Sequence, residues 1–322
     1  MVCDSILNAI GDTPLIRVNR LDTGSATLYL KFEALNPAGS LKDRSALAII
    51  EEAERKGQLR KGDTIIESSS GNFAIALALI GAVKGYRVIC VVEPKITKAN
   101  RAIIESLGAE IVMVDVMDEN GGYLLNRLKT VRKLLKSIPN SFWPNQYANL
   151  ANPAAHFRGT GREIIRDTGG NVDYLIAPVS TGGTLTGTAR AIKRKVPTAK
   201  VVAVDAQGSA IFSEKPHPRY LQGIGSSINP PNLDRNLIDE IFLVTDEEAF
   251  TTARLLARRE GILAGGSSGA VTYVALKIAK KAEPQTVIVA ILADRGERYL
   301  DTIFCDDWMR SHGFPVEPCS NQ

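Results

Sequence analysis

The stretch Asn36-Pro37-Ala38-Gly39-Ser40-Leu41-Lys42-Asp43-Arg44 places a lysine where an ammonium ion is poorly accommodated. Pro37 and Gly39 make a turn, and Ser40 is a good N-cap for the helix expected to follow. Lys42 then falls in the first helical turn, whose free N–H groups make that end of a helix positive. Arg44 adds positive field from two residues away. An amine so placed gives up its proton more readily than one in water, and the neutral amine is the form that makes imines. On this motif alone a solvated surface lysine is the plainer explanation.

Three more stretches join a strand-like run to a helix-like one through small residues. In Glu67-Ser68-Ser69-Ser70-Gly71-Asn72-Phe73 the amides at the helix start can hold a carboxylate, and Asn72 can donate to a phenolate or carboxylate oxygen. An ordinary capping turn would also use serines there. Val179-Ser180-Thr181-Gly182-Gly183-Thr184 has glycines that let backbone close on a ligand, and hydroxyls that can join the amides round a phosphate. No lysine follows these glycines, which excludes a Walker loop. Gly182, Gly183 and Gly187 also miss the GxGxxG spacing, so a cup for a mononucleotide-sized phosphate group or a plain turn remains. Ala264-Gly265-Gly266-Ser267-Ser268-Gly269 opens another helix, and a serine hydroxyl there could meet a heterocycle nitrogen.

The elements that must hold these residues alternate regularly. Strands are expected over Thr27–Phe32, Thr64–Glu67, Arg87–Glu93, Glu110–Asp115, Val172–Val179, Lys200–Asp205, Glu240–Val244 and Thr286–Leu292. Helices are expected over Arg44–Arg55, Phe73–Val83, Lys98–Ser106, Tyr123–Lys136, Ala155–Asp167, Leu185–Lys193, Glu247–Arg259 and Ala270–Lys281. Short β-branched apolar runs between helices predict parallel sheets buried on both faces. The fold class is therefore α/β, with two sheets expected. The stretch Gln207–Asn232, rich in Gly, Ser and Pro yet apolar throughout, reads as an ordered functional loop rather than a hinge.

Composition narrows the function. Apolar residues are 44% of the 322, enough for an extensive core. The net charge of +4 is scattered rather than clustered, which argues against a nucleic-acid surface. His156, His217 and His312 lie far apart, as do Cys3, Cys90, Cys305 and Cys319, so no metal-ligand spacing exists. Cys90 sits in an apolar run and reads as a buried strand residue. The N-terminus shows no basic stretch followed by an apolar one, and the longest apolar run, Phe73 to Val83, is about half of what crosses a bilayer. A soluble, cytoplasmic protein with no membrane partner is expected.

Taken in order, NPAGSLKDR, SSGN, STGGT and GGSSG resemble the fold-type II pyridoxal-phosphate enzymes, in the cysteine synthase and cystathionine β-synthase branch. Asn145-Gln146-Tyr147-Ala148-Asn149, Gln222-Gly223-Ile224-Gly225 and Gly296-Glu297-Arg298-Tyr299 extend the likeness from about Ser5 to Tyr299. The resemblance implies a tryptophan synthase β-like fold of two α/β domains with pyridoxal 5'-phosphate between them. The larger domain would comprise residues 1–42 plus 146–322, and the smaller, mobile one residues 43–145. Lys42 matches the lysine that binds the cofactor as an imine, and Asn72 the side chain at its phenolic oxygen. Ser180, Thr181, Gly182, Gly183 and Thr184 match the phosphate loop, and Ser267 the partner of the pyridine nitrogen. Ser69, Ser70 and Gly71 match the loop for the substrate α-carboxylate, with Gln146 nearby. A homodimer acting on small amino acids is implied as well.

Other stretches depart from the sulfhydrylases of that family. Phe73 follows Asn72 where those enzymes place threonine, so the pocket beside the carboxylate loop should be reshaped. Asp294-Arg295-Gly296-Glu297-Arg298-Tyr299 is expected to carry an ion pair where they tend to have small residues. With Gly121 to Arg127 and Asp205 to Phe212, these stretches are similar to a branch that joins O-phospho-L-serine to L-glutamate. That branch works by β-replacement through an aminoacrylate and supplies 2,3-diaminopropionate for siderophores. A dicarboxylate nucleophile needs more cationic and hydroxyl donors than sulfide, and Arg127, Tyr147 and Ser180 are the candidates. Arg127 fits a solvated helix face equally well. Two alternatives remain: a cysteine synthase using O-phosphoserine or O-acetylserine, and a nucleotide-binding oxidoreductase with Asp205 as ribose partner.

Overall fold

The computed structural model describes residues 2–118 and 122–316; Gly121 and Cys319 lie outside the described residues. Ten strands among them form two sheets. The larger runs Leu15–Arg17, Thr27–Phe32, Val287–Leu292, Tyr174–Pro178, Lys200–Ala206, Glu240–Val244. The smaller runs Glu110–Met113, Arg87–Val92, Thr64–Ser68, Ser141–Phe142. Every neighbouring pair is parallel except the first of the larger sheet, where Leu15 faces Lys31 antiparallel. The expected parallel sheets are present; the antiparallel edge strand was not expected.

Burial explains the apolar runs. In Val287–Leu292, Ile288, Ala290 and Leu292 join one core while Val289 and Ile291 join another on the opposite face. The smaller sheet repeats this, with Ile65, Val88, Cys90 and Val92 on one face and Ile66, Ile89 and Val91 on the other. A strand buried on both sides has no polar face to show, so period-two alternation disappears. Helix Asn72–Lys84 lies in the smaller core with Phe73, Ala74, Ile75, Ala76, Leu77 and Ala78 all buried, so it too lacks a polar face at its start.

The helix expected as Ala155–Asp167 is two, Ala151–Arg158 and Thr160–Asp167, broken at Gly159. A Cβ on Gly159 would lie 2.8 Å from Arg44 Nη1, so the break makes room for a buried cation. That guanidinium is the centre of a charged cluster. Arg44 Nε donates to Glu33 Oε2 at 2.6 Å and Nη1 to Glu163 Oε1 at 2.6 Å, while Lys31 Nζ lies 2.7 Å from Glu163 Oε2. The cluster ties the helix that begins at Lys42 to the larger sheet and to helix Thr160–Asp167. No helix of the described residues is long and apolar enough to cross a membrane.

Candidate active site

A cavity of about 1060 Å³ is lined by residues at or just beyond the carboxyl ends of strands in both sheets, including Ser68, Glu93, Gln146, Pro178 and Ala293. That is where ligands bind in parallel α/β sheets. Lys42, Ser69, Ser70, Gly71, Asn72, Arg127, Gln146, Tyr147, Ser180, Thr181, Gly182 and Thr184 all line it. So does every residue from Pro218 to Ser227, which makes the irregular stretch after Ala206 part of the wall. That stretch is folded on itself, Ala210 N–H donating to Ser226 O at 2.8 Å, and is tied to the end of strand Tyr174–Pro178 by Gly225 N–H to Val179 O at 2.7 Å.

Lys42 is the first residue of its helix, two positions earlier than the apolar pattern suggested. Ser40 is not the cap residue itself, which is Leu41, but its Oγ accepts the Lys42 N–H at 3.2 Å. The turn is clamped from the far end of the chain. Leu41 N–H donates to Ala293 O at 2.9 Å, Arg295 N–H to Gly39 O at 3.2 Å, and Arg295 Nε to Ala34 O at 2.8 Å. Gly39 has φ +82°, and a Cβ there would lie 2.9 Å from Arg295 and Arg298 side chains, so both conformation and space demand glycine. Burial pushes the Lys42 amine down to about 8, with Asp294 pulling it back up. Arg44 is not the cause expected from sequence, because its charge is matched by Glu33 and Glu163.

In the loop before helix Gly183–Lys195, Thr186 is the first residue whose N–H bonds back, to Gly182 O at 3.0 Å. The amides just before it have no partner in the helix and face an anion's requirements. Thr181 Oγ1 accepts from Asn152 Nδ2 at 3.2 Å, and Thr184 Oγ1 meets His156 Nε2 at 3.2 Å. His156 is fully buried, and burial holds its imidazole well below the usual range, so it sits uncharged beneath the loop. Gly182 adopts φ +80°, and its added Cβ would meet Leu233 backbone at 2.7 Å; that of Gly183 would lie 2.1 Å from Asn152 Oδ1. The glycines are thus required by protein packing, and Gly183 does not itself line the cavity. Gly183→Val should therefore destabilise the ligand-free protein by about 1–3 kcal/mol as well as weaken cofactor retention. Thermal melting of the stripped protein checks this, and an unchanged melt would put ligand rather than Asn152 against Gly183.

The serine loop is more committed than its sequence shows. Ser69 Oγ accepts from Ala74 N–H at 3.2 Å, and Ser70 Oγ accepts from Glu93 N–H at 3.3 Å and Arg127 Nη1 at 3.0 Å. What stays free for a carboxylate is the helix-start amides of Asn72 and Phe73, since Ile75 N–H is the first to bond back, to Gly71 O. The Ser68 hydroxyl, on the cavity wall, also has no partner. Phe73 borders the cavity but is 1% exposed and packs in the smaller core, so its bulk fills core more than pocket. Arg127 is no solvated helix residue: its side chain is 11% exposed, 3.6 Å from Glu93, with Nε unbonded. Gln146 is held through its backbone, accepting from Asn152 and Asn232 side chains at 2.8 and 3.0 Å. Burial pushes the Tyr147 hydroxyl up, and Ser226 is its hydrogen-bond partner. Ser267 is 1% exposed, behind the wall, its Oγ 3.6 Å from where a Gly223 Cβ would lie.

Two site residues, His156 and Asn152, escaped the sequence, and Asp294 was expected in an ion pair rather than in its observed role. Asp294 accepts from Asn72 Nδ2 at 2.7 Å and from Tyr299 OH at 2.7 Å. The expected ion pair in this segment is not a direct one: Arg298 donates to Ala38 O and acts on Asp294 only as a nearby charge. His156 and Asn152 gave no local signal at all. Asp205, the ribose partner of the oxidoreductase alternative, is fully buried, accepts its neighbour Ala206 N–H and does not line the cavity.

Comparison with known proteins sets this geometry in a family. Residues 6–294 match the model of the pyridoxal-phosphate dependent enzymes. An N-(2-amino-2-carboxyethyl)-L-glutamate synthase of Ralstonia nicotianae is 47% identical over 310 residues, which is 96% of this chain and 92% of that protein. The crystal structure of a hydrogen sulfide-producing enzyme from Fusobacterium nucleatum superposes with TM-score 0.89 at 36% identity, covering 93% of this chain and 99% of that one. An O-acetylserine dependent cystathionine beta-synthase from Helicobacter pylori gives 0.87 at 34%, covering 94% and 98%. The cavity suits the family's cofactor: unpaired helix-start amides and two threonine hydroxyls over an uncharged histidine can take a phosphate, and a lysine near 8 can take an aldehyde. The chain belongs to the pyridoxal-phosphate dependent enzymes, and the oxidoreductase alternative falls with that membership.

Proposed function

We propose that the protein joins O-phospho-L-serine to L-glutamate, giving N-(2-amino-2-carboxyethyl)-L-glutamate and phosphate for 2,3-diaminopropionate and siderophore supply. The substrate's Cβ–O bond breaks, the glutamate nitrogen bonds to Cβ, and the proton it sheds leaves with phosphate. The observation that carries this reading is Arg127, a guanidinium on the cavity wall whose side chain is 11% exposed, steadied by Ser70 and lying 3.6 Å from Glu93. Sulfide would need no such group; a dicarboxylate does. The Ralstonia relative is named for this product.

Lys42, Asn72, Ser180 through Thr184 and Ser267 would hold pyridoxal phosphate, which when bound supplies the electron sink for bond changes at Cα and Cβ. The free Lys42 amine, near 8, is matched to taking the α-proton at neutral pH. Ser267 would offer a hydroxyl rather than a carboxylate to the pyridine nitrogen, an environment that would leave that nitrogen largely unprotonated and suit elimination. The amides of Asn72 and Phe73, with Ser69, Ser70, Gly71 and Gln146, would hold the α-carboxylate. Arg127, Tyr147 and Ser180 would take the glutamate carboxylates. Sheet membership supports the division into 43–145 and 1–42 plus 146–322, because every strand of the smaller sheet lies within 64–142. We read the working form as a cytoplasmic homodimer, which light scattering on the purified protein checks.

Arg127→Ala tests the nucleophile site. A charge-assisted hydrogen bond to carboxylate contributes about 1.5–3 kcal/mol, so glutamate consumption should fall roughly 10- to 100-fold. Because Arg127 also steadies Ser70, the apparent affinity for O-phosphoserine should weaken too. Stopped-flow absorbance separates the two halves of the reaction. Normal rates in both would make Arg127 a bystander.

A further inference from the structure

We propose that Asp294 is a positioning residue for this site: its buried carboxylate fixes the amide of Asn72 and stations a negative charge beside Lys42. The inference rests on reading Lys42 and Asn72 as cofactor residues.

Asp294 is fully buried and does not line the cavity, so it can act only through what it holds. Its Oδ2 accepts from Asn72 Nδ2 at 2.7 Å. A primary amide has two N–H groups, so one is spent on Asp294 and the other stays free on a residue that lines the cavity. A free Asn side chain could present either its oxygen or its nitrogen to a ligand. Held through Nδ2 on a carboxylate, the amide is fixed in one orientation, and its second N–H is left to donate as a phenolate oxygen needs. Tyr299 OH donates to the same Oδ2 at 2.7 Å, a second bond that holds the carboxylate in place.

The backbone repeats the arrangement. Ser40 and Asp294 form an antiparallel bridge, so the carboxylate and the Lys42 turn are fixed to one another. Space has been made for it as well, because a Cβ on Gly265 would lie 2.2 Å from Asp294 Oδ1. Oδ1 itself has no hydrogen-bond partner, and burial pushes the Asp294 carboxyl up, so its charge depends on the groups around it. The groups facing it are Lys42, Arg298 and Tyr299. Arg298 also faces Asp43, and Lys42 also acts on uncharged His156. Among these, Lys42 is the cation on the cavity wall whose proton the reaction must move. An anion beside it favours the protonated nitrogen, and the amine responds in that direction.

The experiment is a spectroscopic pH titration of purified holoenzyme, comparing wild type with Asp294→Asn and Asp294→Ser. Both variants remove the charge; serine also matches the small residue of the sulfhydrylases, so it serves if the asparagine protein does not fold. The absorbance of lysine-bound cofactor should titrate with a midpoint about one unit or more lower in the variants. Cofactor should be retained on dialysis, because the phosphate loop is untouched. In an Asn72→Ala background the Asp294→Asn change should cost less in kcat than it does alone, as expected if part of its effect passes through that amide. Unmoved midpoints, with only a lower melting temperature, would overturn the proposal and leave Asp294 structural. A wild-type protein with no visible absorbance from lysine-bound cofactor would instead remove the cofactor reading on which it rests.

Discussion

Lys42→Ala yields a colourless protein whose turnover is at least about 10³-fold lower, because both the cofactor's covalent anchor and the base for the α-proton are gone. The fold survives, since alanine is a good residue for a helix start. Stripped of cofactor, the variant should be the more stable protein. Burial holds the folded-state amine near 8, well below a lysine in water. Between about 8 and about 10.4 the unfolded chain therefore binds the extra proton, and wild-type stability rises with pH across that window. Below about pH 8 wild type bears the cost of the partly desolvated ammonium, on the order of 1–3 kcal/mol because the side chain borders the cavity, which alanine removes. Denaturant unfolding of both stripped proteins at pH 7 and pH 10 checks the sign: the gap should narrow at the higher pH. Equal stability at both would mean the amine is freely solvated.

Arg44→Ala should lower stability by about 3–5 kcal/mol, because it leaves Glu33 and part of Glu163 charged, buried and unpaired. Glu33 is fully buried and keeps only Thr13 and Asn36 as hydrogen-bond donors once the guanidinium is gone. Activity should suffer as well, since Arg44 sits one half-turn after Lys42 and anchors that helix start to the larger sheet. Arg44→Met, which fills the space without charge, should fold no better, because the two carboxylates rather than the volume are the problem. A unfolding free energy within 1 kcal/mol of wild type for either variant would show that water enters and solvates the carboxylates.

How much of this could be read in the residues depends on where the cause lies. Strand Thr27–Phe32, helix Lys98–Ser106 and strand Glu240–Val244 have the bounds their patterns suggest, because local signals set them. Thr97 caps its helix through Asn100 N–H, for example. Helix Ala151–Arg158 starts earlier than expected despite Pro153, which falls in the first turn where its missing N–H costs nothing. The break at Gly159 answers to Arg44, 115 residues away in number, so no local pattern could announce it. Strands Leu15–Arg17 and Ser141–Phe142 are too short to show a period. In the site, the loops built of Gly, Ser and Thr were legible because backbone approach demands those residue types. Asp294 and His156 were not, since each acts on a loop far off in the chain and neither has a spacing of its own.

The most direct measurement of the central claim is the mass of the product formed from O-phospho-L-serine and L-glutamate by purified holoenzyme. The account predicts N-(2-amino-2-carboxyethyl)-L-glutamate with one phosphate released per product, and little cysteine when sulfide replaces glutamate. Cysteine from sulfide with no glutamate adduct would contradict it and make the protein a sulfhydrylase.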